Sequence, residues 1–127
     1  MSILDKAVKL KNENTRPFIT LRERFITFSK TAIEQLEYSP LINILILKED
    51  KKVAFQVCDD PNDADALTFY KERSEGKQLL VRVSSKRACT IIAEIAGLKQ
   101  IGSEGVRFYG EYLKEDRAIL IDLSKPE

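Results

Sequence analysis

The 127-residue sequence has no histidine, only two cysteines and almost no net charge, +1 at neutral pH. Each shortage excludes something. Histidine is the commonest general base near neutrality, so serine–histidine and cysteine–histidine nucleophiles are ruled out and a non-enzymatic protein is expected. Two cysteines without histidine fall short of a four-ligand zinc site, and no cofactor is expected. Cys58 and Cys89 sit among apolar residues, which predicts two buried thiols in a reducing cytoplasm, with a disulfide as the alternative. No apolar run approaches the roughly 20 residues of a membrane helix. The longest, Leu41 to Leu47, is interrupted by Asn43. The first residues lack the apolar stretch of a secretory signal, so the expectation is a cytoplasmic protein with no membrane partner.

What is present suffices for a core with a charged surface: 43% of residues are hydrophobic and 32% charged. The pattern is that of an internal repeat. Leu47-Lys48-Glu49-Asp50 recurs as Leu113-Lys114-Glu115-Asp116, and without a gap Val53, Phe55 and Val57 align with Ile119, Ile121 and Leu123. The shared alternation is that of a strand, and the charged segment between two apolar runs reads as a hairpin turn. Upstream, Phe25 to Lys30 resembles Leu80 to Lys86. Each is a short β-rich run that stops at serine, whose hydroxyl can cap the helix that follows. Thr31-Ala32-Ile33-Glu34 also fits a capping box.

The helices that follow carry Ala32, Ile33 and Leu36 on one face, and Ala88, Ile91, Ile92 and Ile95 on another. Tyr38-Ser39-Pro40 ends the first and Gly97 the second. Long strands come next, Leu41 to Leu47 and Val106 to Leu113. A further short strand is expected ahead of each unit, at Phe18 to Leu21 and Leu67 to Tyr70.

The fold class expected is α+β: two diverged strand–helix–strand–hairpin–strand repeats forming one barrel-like domain with pseudo-two-fold symmetry. Residues 1–17 form a lead-in with a helix over 2–12, 18–58 the first repeat, 59–66 an acidic linker and 67–124 the second repeat. The aspartates of the linker lack the spacing and glycine of an EF-hand, which favours a solvated connection over a calcium loop. Gly102-Ser103-Glu104-Gly105 follows a helix instead of preceding one, which favours a turn over a phosphate cradle.

This order of elements resembles the SpoVT/AbrB-type DNA-binding domains, members of the cradle-loop barrels. The matching pieces are Ile26 to Ser29, the helix through Leu36, Ile42 to Leu47, the LKED turn and Val53 to Val57. In the second half, Ile95-Ala96-Gly97-Leu98 resembles the family's helix end. Two copies in one chain are similar to the tandem arrangement of the MraZ regulators. Ser29 and Ser84 stand where the family has proline after its first strand. The resemblance implies a barrel and, as activity, DNA-binding transcriptional regulation, with a homodimer as one possible assembly.

Charge is unevenly distributed. Residues 1–30 hold seven Lys/Arg against three Asp/Glu and residues 67–99 seven against three, whereas residues 31–66 hold three against eight. Under pseudo-two-fold symmetry, Arg22, Arg24 and Lys30 fall on the same side as Arg82, Lys86 and Arg87. These six are the candidate contacts to double-stranded DNA. The plainer alternative is a solvated face. Phe69, Tyr70, Phe108, Tyr109 and Tyr112 fit core packing better than base stacking. The competing function is a small-ligand-binding or protein-inhibiting module on the same barrel.

Overall fold

Eight short strands and two helices alternate along the chain in the computed structural model, which describes residues 16–70 and 81–124. Strands β1 (Phe18–Leu21) and β2 (Phe25–Phe28) lead into helix α1 (Lys30–Gln35). Strand β3 (Leu41–Leu47), a 3-10 turn (Lys48–Asp50), β4 (Lys52–Val57) and the two-residue β5 (Leu67–Thr68) follow. The remaining elements are β6 (Val81–Ser84), α2 (Lys86–Ala96), β7 (Val106–Leu113) and β8 (Ala118–Asp122). The helix expected over residues 2–12, and Leu80, lie outside the described residues.

The strands form one sheet in the order β5-β3-β4-β8-β7-β1-β2-β6, with every pairing antiparallel. It wraps into a nearly closed barrel with two helices. Period-two alternation turns one side of each strand inward. Ile19, Leu21, Ile26, Phe28, Val53, Phe55, Ile119 and Ile121 are almost fully buried. Phe28 lies at the centre, with edge-to-face contacts to Phe55 at 5.0 Å and Phe69 at 4.9 Å. Such contacts add about 0.5–1.5 kcal/mol beyond area burial. Ala32, Ile33 and Leu36 close the core from the first helix, Cys89 and Ile92 from the second. Both cysteines are free and buried.

Local chemistry explains the helix boundaries. Ser29 caps α1 and Ser85 caps α2, their hydroxyls accepting from the N–H groups of Ala32 and Ala88 at 3.2 Å. The capping box at Thr31 is not used. Ser29 is already extended, with φ −67° and ψ 160°, and its hydroxyl reaches the first turn. Gly97, at φ 75°, ends α2 in the left-handed conformation glycine adopts without strain. Helix α1 stops at Gln35, earlier than its apolar pattern suggests, because Glu37 and Tyr38 turn to φ 61° and 52°. Strand β5 is also shorter than the sequence implies, ending at Thr68 instead of Tyr70.

Both LKED segments connect hairpin strands. Lys51 after the first turn and Arg117 after the second adopt φ 53° and 52°. Lys51 N–H donates to the Lys48 carbonyl and Arg117 N–H to the Lys114 carbonyl, each at 3.2 Å. The turns also reach across the sheet: Val57 N–H donates to the Arg117 carbonyl at 3.0 Å, and Leu123 N–H to the Lys51 carbonyl at 2.8 Å. The Arg117 guanidinium grips the Glu37 carboxylate through Nε at 2.7 Å and Nη2 at 2.8 Å, and also binds Asp59. Its hydrogen bonds hold both carboxyls below the usual carboxylate range.

Candidate nucleic-acid interface

The inward set of β1, β2, β6 and β7 fixes what they present outward. With Ile19 and Leu21 in the core, β1 turns Phe18 and Thr20 out; with Ile26 and Phe28 inside, β2 turns out Phe25 and Thr27. On β6, Val81 and Val83 are buried and Arg82 is exposed. On β7, buried Phe108 places Arg107 and Tyr109 on the outer face. Register then aligns these positions. Arg107 pairs with Thr20, Thr20 with Thr27, and Thr27 with Arg82. The result is one row across four strands, two threonines between two arginines, spanning three interstrand spacings or about 14 Å.

Aromatic rings hold the arginines down. The Arg82 guanidinium carbon lies 4.2 Å from the centre of the Phe25 ring, and that of Arg107 lies 4.2 Å from the centre of Phe18. Arg22 approaches Phe25 from further off, at 5.8 Å, and donates to the Ser103 carbonyl. The pattern extends along β7, where Phe18 packs on Tyr109 at 5.3 Å and Arg16 lies 5.0 Å from the Tyr109 ring centre. A guanidinium on a ring keeps its charge and its in-plane N–H donors while losing part of its rotamer freedom.

The face forms a groove of about 700 Å³, lined by Arg22, Lys30, Arg82 and Arg107 with Phe18, Thr20, Phe25 and Thr27. Among the described residues, no carboxylate lines it. None of these four cations has a carboxylate partner among the described residues, whereas Arg117 pairs with Glu37 and Asp59. The hydroxyls of Thr20, Thr27 and Thr31 add donors beside the charges. Such a surface can hold a run of phosphates by charge and hydrogen bonding together.

Of the six residues singled out from the sequence, Arg22, Lys30 and Arg82 meet in this groove. Arg24, Lys86 and Arg87 are exposed but do not line it. Arg87 lines a different groove, facing Asp63 and Asp65. Sequence reasoning missed Arg107 and Arg16. The available signal for Arg107 was alternation, since assigning Phe108 to the core puts its neighbour on the outer face. Two aspartates of the linker accept within their own loop, Asp60 from Asn62 N–H at 2.9 Å and Asp63 from Asp65 N–H at 2.8 Å, while Asp59 binds Arg117 and Asp63 also accepts from the Asn43 amide at 3.2 Å. No helix among the described residues is long and apolar enough to cross a membrane. No protein-family model, curated protein or solved structure matches the chain.

Proposed function

We propose that the chain is a DNA-binding regulator of the AbrB-like type that holds the phosphate backbone of duplex DNA in the β7-β1-β2-β6 groove. The observation that carries this reading is four cations, Arg22, Lys30, Arg82 and Arg107, lining one groove with no carboxylate among the described residues. Phosphate contacts supply most non-specific affinity and do not need a high net charge overall, only a local excess.

The family side of the reading rests on the repeat. The two LKED hairpins, the left-handed residues that close them and the two serine caps support two copies of one unit. Strand order supports it too. If β1 corresponds to β5, β3 to β7 and β4 to β8, the run β5-β3-β4-β8-β7-β1 reads the same after the halves are exchanged. On that axis β2 and β6 are neighbours, which brings Lys30 and Arg82 to one groove.

The test is a salt series. Four phosphate contacts give a slope of about −3.6 in log K against log salt, a loss of about 150-fold between 50 and 200 mM. Six contacts, including Arg24, Lys86 and Arg87 but not Arg107, would steepen the slope to about −5.4. Changing Arg82 and Arg107 together to glutamate should abolish binding with little change in thermal stability, since exposed charges contribute little to folding. Fluorescence anisotropy with random-sequence duplexes at low salt reads both. No binding at tens of micromolar protein rejects the reading. A small anion that raises the melting temperature in that case identifies a ligand-binding module instead.

A further inference from the structure

Over its second half, β3 has a backbone edge that the sheet does not use. Strand β5 pairs with β3 only at Leu41 and Ile42. Cys58 N–H donates to the Leu41 carbonyl, toward β4, and Phe69 N–H donates to the Pro40 carbonyl, toward β5. An antiparallel ladder alternates these directions residue by residue, so Ile44 and Ile46 aim N–H and C=O at the side where β5 has ended. Among the described residues nothing pairs with them there. The side chains lose cover along the same line. Ile42 is 0% exposed, Ile44 is half-buried, and Ile46, on the same face by period-two alternation, is 39% exposed.

The other wall of this opening is a helix. Ala88 and Ile91 lie one turn apart on α2, next to the buried pair Cys89 and Ile92, and with Ile44 and Ile46 they line a groove of about 520 Å³. Arg87, one turn before Ile91, belongs to the same wall. Asp63 and Asp65, just ahead of β5, line the groove as well. Charges of both signs thus border it, and among the described residues no ion pair joins them. A small molecule could meet the charges or the apolar walls. Only a second extended backbone offers donors and acceptors at the spacing of Ile44 and Ile46, about 7 Å.

We propose that the groove takes an extended segment of a partner protein, added to β3 as a further strand with α2 as its back wall. The segment carries apolar side chains at alternate positions, packed between Ile44, Ile46 and Ile91. Between them it carries one basic residue for Asp65 and one acidic residue for Arg87. A polybasic segment would meet Arg87 and a polyacidic one the aspartates, so uniform charge is selected against. The contact is small against the roughly 800 Å² per partner of a standard interface, so the complex is transient.

Selection of short random peptides displayed on phage against the immobilised full chain, then anisotropy titration of the synthetic consensus peptide, is the test. The expected consensus alternates apolar residues and carries one charge of each sign. N-methylation of the peptide amides that face β3 should weaken binding about tenfold or more, and methylation of the alternate set should not. Ile46→Lys should weaken it as much while far-ultraviolet circular dichroism is retained. The double variant Asp65→Lys, Arg87→Glu should lose the consensus peptide and bind one with its basic and acidic residues exchanged. Failure to select any saturably binding peptide overturns the proposal. So does equal tolerance of both methylation patterns, or equal binding of peptides of uniform charge. Strong hydrogen-exchange protection of the Ile44 and Ile46 amides in the free chain also overturns it. Protection independent of concentration would mean that a segment of the same chain fills the edge, and protection that grows with concentration that a second copy does.

Discussion

Ile92 is the most direct handle on the barrel's core. It sits in the middle of α2, is 0% exposed and packs against the sheet interior. Cutting it to alanine removes three carbon groups, a transfer loss of about 2.4 kcal/mol at ~0.8 kcal/mol each. If the surroundings do not collapse, a cavity of about 80 Å³ adds about 1.9 kcal/mol at ~24 cal/mol per Å³. The expected destabilisation of Ile92→Ala therefore lies between about 2.4 and 4.3 kcal/mol, inside the range of measured isoleucine truncations. Urea unfolding followed by circular dichroism measures it, provided the slope is unchanged so that the midpoint alone moves. Thr90→Ala is the control, because Thr90 is exposed on the same helix and its hydroxyl bonds only the Lys86 carbonyl one turn back. A loss below about 0.5 kcal/mol for Ile92→Ala, the level of surface substitutions, would mean that α2 does not cover the sheet.

Two further predictions concern titration. Glu37 and Asp59 are held below the carboxylate range by Arg117, so whatever stability they contribute is present above about pH 4 and lost as pH falls through their lowered values. Arg117→Ala should thus differ from wild type in urea midpoint near neutrality and converge with it in acid; a constant gap down to pH 2 would refute the linkage. Burial pushes the Cys89 thiol up to about 11. Its alkylation by iodoacetamide at pH 8 should be far slower in the native protein than in urea, and native stability should decline as pH rises from about 8.5 toward that value. Equal labelling rates in the two states would contradict the burial.

How much of this was legible beforehand depends on the range of the interaction. The LKED turns, the serine caps, Gly97 and the buried stripe through Ile92 are set by residues a few positions apart, and the sequence reveals them. The groove is different. Arg107 joins Arg82 only because β7 lies beside β1, β1 beside β2 and β2 beside β6. None of those adjacencies is written in the neighbours of Arg107, a lone cation in Val106-Arg107-Phe108-Tyr109. The reverse error occurred at Arg87. It is close to Arg82 along the chain, but a helix start separates them, and α2 turns Arg87 toward Asp63 and Asp65. The left-handed pair at Glu37 and Tyr38 was hidden as well, because nothing in those side chains favours that backbone; the grip of Arg117 on Glu37 comes from the far end of the chain.

The bonds from Val57 to the Arg117 carbonyl and from Leu123 to the Lys51 carbonyl have a consequence for how the chain folds. The last strand of each half is completed by the turn of the other, and β4 lies against β8, β1 against β7 and β2 against β6. Neither half can finish its own sheet. Synthesis of the first half by a ribosome would leave β1, β2 and β4 with open edges until residues beyond Val81 emerged. Pairings of such long sequence separation close large loops before they are rewarded, which slows folding and lengthens exposure of those edges. Cutting the chain in the linker should accordingly yield two fragments that are unfolded apart and recover structure when mixed.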